Sequence, residues 1–171
     1  AGVHVEYLAR ELARLEDVHV HAWGEDRPRE QPPVHAYRAW DALGGEAPHL
    51  AALRAMSIDL TMAAGAEGAD VVHSHTWYAN LGGHLAKLVH DIPHVATVHS
   101  LEPLRPWKAE QLGGGYALSS FCERTALEAA DAVIAVSEGM CRDILACYPA
   151  IDPARVQVVY NGIDADEYRP D

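Results

Sequence analysis

Two short apolar segments that end in histidine and hydroxyl residues decide the fold: Asp70-Val-Val-His-Ser-His-Thr-Trp-Tyr78 and His94-Val-Ala-Thr-Val-His-Ser100. In each segment β-branched residues occur without polar alternation, which is typical of strands buried in a parallel sheet. Ligands of open α/β sheets bind in the crevice beyond the carboxyl ends of the strands. The polar residues after these two strands therefore predict the floor of a ligand-binding site.

Outward from these segments, the sequence predicts strands and helices in alternation. Strands are expected at residues 18–22, 34–40, 70–73, 94–98, 132–136 and 156–160. Helices are expected at 2–15, 48–66, 80–90 and 116–130, and a further helix follows the capping residue Ser137. This order predicts an α/β fold with a doubly wound parallel sheet and helices on both of its faces.

Length and charge exclude several classes of protein. A chain of 171 residues is long enough for one α/β domain with its own core. A net charge of −12 argues against nucleic acid or an anionic membrane as partner, and no apolar run is long enough for a transmembrane helix. Cys122, Cys141 and Cys147 form no C-x-x-C motif, so we expect a reducing, cytoplasmic location.

The order of elements predicts that the chain is part of a longer protein. A doubly wound half normally opens with a strand that becomes central in the sheet, whereas this sequence opens inside a helix. It closes shortly after a strand and a turn, at Tyr168-Arg-Pro-Asp171. We therefore expect residues 1–171 to be a fragment that lacks its first strand and is only marginally stable in isolation.

Five segments, in this order and spacing, resemble one family. They are His73-Ser-His-Thr-Trp-Tyr-Ala-Asn80, Val98-His-Ser-Leu-Glu-Pro-Leu-Arg-Pro-Trp-Lys-Ala-Glu-Gln-Leu112, Cys122-Glu-Arg-Thr125, Asp131-Ala-Val-Ile-Ala-Val-Ser137 and Asn161-Gly-Ile-Asp164. Over nearly the whole chain they resemble the N-terminal, acceptor-side Rossmann-like domain of retaining GT-B glycosyltransferases of family 4. The resemblance is closest to the ADP-glucose-using glycogen synthase group that makes α-maltose-1-phosphate.

The resemblance implies a second Rossmann-like domain, absent here, that would hold most of the nucleotide-sugar donor. It implies transfer of glucose from ADP-glucose, with retention and without a metal or other cofactor, to a sugar phosphate, glucose-1-phosphate. The alternatives are elongation of an α-glucan in glycogen biosynthesis and a non-catalytic sugar- or nucleotide-binding α/β module. Without the donor domain, residues 1–171 are expected to be inactive alone; the oligomeric state stays open, a homodimer included.

The resemblance assigns the catalytic position to His99, which follows the strand at 94–98 and would lie against the transferred sugar. A neutral imidazole can hydrogen-bond a sugar hydroxyl. The alternative is an ordinary core or surface histidine, since the chain has eleven. Thr76 occupies a position where related glycogen synthases carry Asp, and its hydroxyl cannot act as a base. This difference favours a small or phosphorylated acceptor; the alternative for Thr76 is to cap the next helix.

Four residues are candidates for binding an acceptor phosphate: Ser100, Arg105, Lys108 and Arg124. Arginine suits phosphate because of its bidentate fork, and hydroxyl groups add donors. Arg124 lies at the border of an apolar helical stripe, from which it can reach a cleft; the alternative is an ion pair with Glu128. The alternative for Arg105 and Lys108 is a solvated loop cation.

Three further residues complete the expected substrate site. The resemblance implies that Gly2 is the tail of a glycine-rich loop and that Asn161, in a turn after the last strand, borders the interdomain cleft. Tyr78 could stack on a sugar ring, although packing is the commoner role of tyrosine. The run Gly113-Gly-Gly115 is interpreted as a hinge of a loop that, in the family, moves over the acceptor.

A metal site is not expected from the sequence. His73 and His75 are interpreted as projecting to opposite faces of their strand, where they could not share an ion.

Overall fold

The computed structural model describes residues 2–25 and 32–164. The helices are α1 (Gly2–Leu12), α2 (Leu50–Gly65), α3 (Trp77–His90), α4 (Lys108–Leu112), α5 (Gly115–Ala129) and α6 (Glu138–Cys147). The strands are β1 (Val20–Trp23), β2 (Val34–Tyr37), β3 (Val72–His75), β4 (His94–Val98), β5 (Ala132–Ala135) and β6 (Val156–Val158). The predicted alternation is confirmed. The helix α4 was not predicted; it lies within the connection that follows β4.

All strand pairs of the described chain are parallel, as predicted, but the strands form two sheets instead of one. One sheet has the order β1-β2 and the other the order β3-β4-β5-β6. Between β1 and β3 no hydrogen-bond ladder is formed within the described ranges. The ring of Trp23 in β1 meets that of Tyr78 in α3, with centroids 5.4 Å apart, so a side-chain contact joins the two-stranded sheet to the helix that follows β3.

The core lies between the four-stranded sheet and the helices that cross over it. Each strand of this sheet pairs with its successor in the sequence, and right-handed crossovers then place α3, α5 and α6 on one face. Leu127 of α5 and Ile144 of α6 are both fully buried against Val133 of β5. The α6 helix begins as predicted, because the Ser137 hydroxyl accepts a 3.0 Å hydrogen bond from the Met140 backbone N–H.

Helix α1 packs more loosely than the others. Ala9 is its one buried residue, and Leu12 and Val3 of its apolar residues are exposed. None of the helices in the described ranges has the length and apolar character needed to cross a membrane.

Candidate functional site

The carboxyl ends of β3 and β4 bring two histidines together. His75 is the last residue of β3 and pairs in register with Thr97, and His99 lies one residue beyond β4. The His75 Nδ1 and His99 Nε2 atoms are 3.2 Å apart. The ring of His4, near the start of α1, lies against both, with its centroid 5.0 Å from that of His99. His99 thus stands at the predicted place, while its role stays a prediction.

The interpretation of His73 and His75 as facing opposite sides of β3 is wrong. Their ring centroids are 4.4 Å apart, because residues two apart in a strand project to the same face. His73 Nε2 is also 2.7 Å from the Thr97 hydroxyl on the neighbouring strand. The argument that kept these histidines from sharing an ion therefore fails.

The histidines of this edge are uncharged at neutral pH. Burial, together with repulsion between the neighbouring rings, lowers the pKa of His73 and His99 to about 4 and that of His75 to about 3. A neutral imidazole offers one N–H donor and one acceptor nitrogen. His99 is therefore in the state that can hydrogen-bond a sugar hydroxyl.

Thr76 carries backbone strain at the end of β3. Its φ is 69° and its ψ 158°, in a region that a β-branched residue rarely adopts. The alternative that Thr76 caps α3 is wrong, because no side-chain cap bond forms. Its Oγ1 is buried and has no hydrogen-bond partner within the described chain. Strained backbone and unpaired polar atoms are features that concentrate at functional sites.

Of the four candidate phosphate ligands, two lie together. The Arg105 guanidinium donates a hydrogen bond of 3.4 Å to the hydroxyl of Ser100, the residue directly after His99. Lys108 is not a solvated loop cation: its Nζ is 2.7 Å from Glu102 Oε1, and the Glu102 side chain is only 1% exposed. Because this carboxylate neutralises it, Lys108 is a weaker phosphate ligand than expected.

Arg124 does not join this pair. It is exposed on α5, nine residues after Gly115, which corresponds to about 14 Å along the helix axis. Within the described residues it forms neither the ion pair with Glu128 nor a hydrogen bond with Ser100 or Arg105.

The three remaining predicted residues lie in different surroundings. Asn161 lies after β6 and, together with His4, lines a cavity of about 140 Å³. Tyr78 is exposed, with its ring against that of Trp23, so the alternative of buried packing does not describe it. Gly2 is exposed at the start of α1, and a Cβ built there would have no described neighbour within 4 Å.

Comparison with known proteins identifies the family to which this arrangement belongs. The family model described as Glycosyltransferase Family 4 matches residues 1–167. The chain belongs to glycosyltransferase family 4. It is 58% identical to the alpha-maltose-1-phosphate synthase of Mycolicibacterium smegmatis and 54% identical to that of Mycobacterium tuberculosis. Each match covers 99% of this chain and 42% of the relative.

A further relative is the D-inositol 3-phosphate glycosyltransferase of Mycobacterium bovis, with 33% identity over 102 residues, 59% of this chain and 21% of that protein. The chain thus spans less than half the length of the curated relatives it matches. The α/β fold with parallel sheets agrees with the N-terminal Rossmann-like half of a GT-B glycosyltransferase, as the sequence predicted.

Two features of this family 4 glycosyltransferase were missed from sequence. The first is His4, which was overlooked because the periodicity of α1 indicated only an apolar face. The available signal was the position of His4 near the start of a helix, since helix starts face strand ends in such folds. The second is the buried Glu102, which no local pattern separates from an exposed loop acid.

Proposed function

We propose that the complete protein transfers glucose from ADP-glucose, with retention of configuration, to glucose-1-phosphate and so forms α-maltose-1-phosphate in α-glucan biosynthesis in the cytoplasm. The observation that carries this proposal is the hydrogen bond between Ser100 and Arg105. Ser100 directly follows His99, whose imidazole is neutral. A cation and a hydroxyl next to an uncharged imidazole suit an acceptor with one phosphate and several hydroxyls. Two groups of relatives support a phosphorylated substrate, since their names contain maltose-1-phosphate and inositol 3-phosphate.

Each residue has a distinct part in the proposed reaction. The His99 imidazole hydrogen-bonds a hydroxyl of the transferred glucose, and Arg105 with Ser100 holds the acceptor phosphate. The unpaired Thr76 hydroxyl offers one hydrogen bond to the acceptor. A second domain, outside residues 1–171, would bind the nucleotide, and a strand preceding Gly2 would fill the break between β1 and β3. The reaction needs no metal, since in this proposal protein cations hold the leaving diphosphate.

The test compares two acceptors with the complete purified protein and ADP-glucose. Transfer to glucose-1-phosphate is followed by ³¹P NMR, transfer to glycogen by incorporation of labelled glucose, and the anomeric proton signal of the product reports retention. Arg105→Ala should raise the KM for glucose-1-phosphate about 10- to 100-fold, the effect of losing a charge-assisted hydrogen bond, and should leave transfer to glycogen unchanged.

The matched control is Arg142→Ala, which removes an exposed arginine of α6 and should change neither reaction. Arg124→Ala, measured in parallel, tests the second arginine candidate. Equal losses with both acceptors would remove the phosphate role of Arg105. Transfer to glycogen alone would replace the proposal with glucan elongation, and ADP-glucose binding without turnover would replace it with a binding module.

A further inference from the structure

Three histidines from separate parts of the chain bring ring nitrogens close together. They come from α1 (His4), the end of β3 (His75) and the residue after β4 (His99). One ligand atom from each ring can be chosen so that all three lie within 4.8 Å of one another. All three side chains are half-buried, and His4 also borders the cavity shared with Asn161.

We propose that His4, His75 and His99 form a three-histidine site for a divalent transition-metal ion such as Zn²⁺. Three histidines with the fourth position left to water or another ligand form a recognised zinc coordination set.

The spacing of the rings fits this ion. Tetrahedral zinc with Zn–N bonds of about 2.0 Å holds its nitrogens about 3.3 Å apart. The His75 Nδ1 to His99 Nε2 distance is already 3.2 Å. Ring nitrogens that lie within 4.8 Å of one another need to approach by about 1.5 Å at most to reach this spacing. Such a movement is feasible because His4 belongs to the loosely packed α1, in which Ala9 is the one buried residue.

The surroundings of His75 hold it in place for a metal ion. The His73 ring packs against His75, and the Thr97 hydroxyl contacts His73 in turn. Partners of this kind orient the ligands of metal sites. Imidazole ligands select zinc, copper, nickel and cobalt, whereas magnesium and calcium prefer oxygen ligands, so the site should discriminate against these two ions.

Occupation of the site has a consequence for transfer, and this part rests on the proposed function. A bound ion would take the His99 nitrogen that hydrogen-bonds the transferred glucose. Zinc should therefore inhibit transfer in competition with the donor. Metal binding itself does not depend on the protein being a transferase.

The experiment uses the complete protein without a histidine tag, stripped of metal by a chelator that is then removed. Co²⁺ is added and followed by its visible absorption, which is intense only for four-coordinate cobalt, and Zn²⁺ binding is measured by calorimetry. We expect one equivalent of each ion, and no binding of Mg²⁺. His4→Ala and His99→Ala should each weaken Zn²⁺ binding at least about tenfold.

The matched control is His35→Ala, which disrupts a close pair of histidines away from the site, His19–His35, with ring nitrogens 2.9 Å apart. It should leave zinc affinity unchanged. Circular dichroism verifies that each variant is folded. Zinc affinity that survives both His4→Ala and His99→Ala, or that is lost in His35→Ala, overturns the proposal.

A transfer assay with added Zn²⁺ separates this proposal from the proposed function. If the protein shows no transfer at all, the cobalt titration still decides the metal site. Binding at the three histidines without inhibition keeps the site and overturns the competition with the donor.

Discussion

Asp59 should make the protein less stable as the pH rises towards 8, and replacing it with Asn should remove this dependence. Asp59 lies on α2 where α2 packs against α3, and its side chain is fully buried. Neither carboxylate oxygen makes a well-formed hydrogen bond with a described residue. Burial raises its pKa to about 8, and the nearby Gly82 backbone offsets only part of that effect.

The size of the effect follows from the difference between the folded and unfolded pKa. The unfolded chain ionises Asp59 near pH 3.8, whereas the folded chain keeps it protonated up to about pH 8. Each pH unit above the unfolded pKa then lowers the free energy of unfolding by about 1.4 kcal/mol. Between pH 4 and pH 7 the total is on the order of 4 kcal/mol, and above pH 8 the loss levels off.

Asp59→Asn keeps the shape of the side chain and cannot ionise. Its buried amide costs about 1–3 kcal/mol if unpaired, and this cost is the same at every pH. The free energy of unfolding of the variant should therefore increase relative to that of the wild type as the pH rises from 5 to 8. Urea unfolding followed by circular dichroism measures this difference. The neighbouring thiol of Cys122 does not add to this pH dependence. Burial, together with the charge of Asp59, raises the pKa of Cys122 to about 12, so the thiol stays neutral from pH 5 to pH 8.

The control is Asp143→Asn, which alters an exposed carboxylate on α6 and should run parallel to the wild type. A difference between Asp59→Asn and wild type that is constant from pH 5 to pH 8 would show that the carboxyl ionises normally in the folded chain.

Three further changes test the local structure by urea unfolding. Thr76→Gly should be about 1 kcal/mol more stable than Thr76→Ala, because only glycine adopts a φ of 69° without strain; equal stabilities would argue against strain. Gly83→Ala should cost about 1–3 kcal/mol, because its Cβ would overlap the His94 imidazole, whereas Gly114→Ala, with open space around it, should cost much less. Ser137→Ala should cost about 1 kcal/mol and Ser137→Asp little, and equal losses would show that the cap bond contributes nothing.

The fold could be predicted because burial in a parallel sheet leaves a strong local pattern. The strand His94–Val98 has the predicted ends, and Ser137 caps α6 as expected, since both depend on residues adjacent in sequence. The residues of β1 and β3 do not themselves reveal the break between the two sheets; only the expectation that a central first strand is missing points to it.

The site was predicted only in part, for the same reason. His99 follows a buried strand, and a local pattern finds it. The contact between His4 and His99 is a tertiary contact, since 95 residues separate the two in sequence. Predicting it would have required the position of α1 relative to the sheet. The ion pair of Lys108, a candidate phosphate ligand, was not predicted, because its partner, Glu102, is buried by the fold rather than by its sequence neighbours.

A buried polar network fixes the connection that follows β4. The Glu102 carboxylate accepts hydrogen bonds from Lys108 and from Ser119 of α5, at 2.7 and 2.6 Å. The Glu102 backbone N–H donates to Glu123, which also accepts from Tyr148. Burial raises the pKa of Glu123 to about 7, so the carboxyl group of Glu123 is partly protonated at neutral pH. Ser119 and Glu123 thus fix one end of the segment to α5, and Tyr148, directly after α6, holds Glu123 in turn.

This network decides which part of the connection can move over a bound acceptor. Arg105 lies between Glu102 and Lys108, and the ion pair between those two residues closes the short loop that carries it. The Tyr116 hydroxyl donates to the Glu102 carbonyl, so the far end of the connection is fixed as well. Only residues 109–115 remain between the two anchors, and Gly113, with a φ of 51°, lies among them. The hinge expected from the glycine run would therefore move α4 and leave Arg105 in place. In the proposed function, an arginine that is already held in position would bind the acceptor phosphate without the entropic cost of ordering its loop.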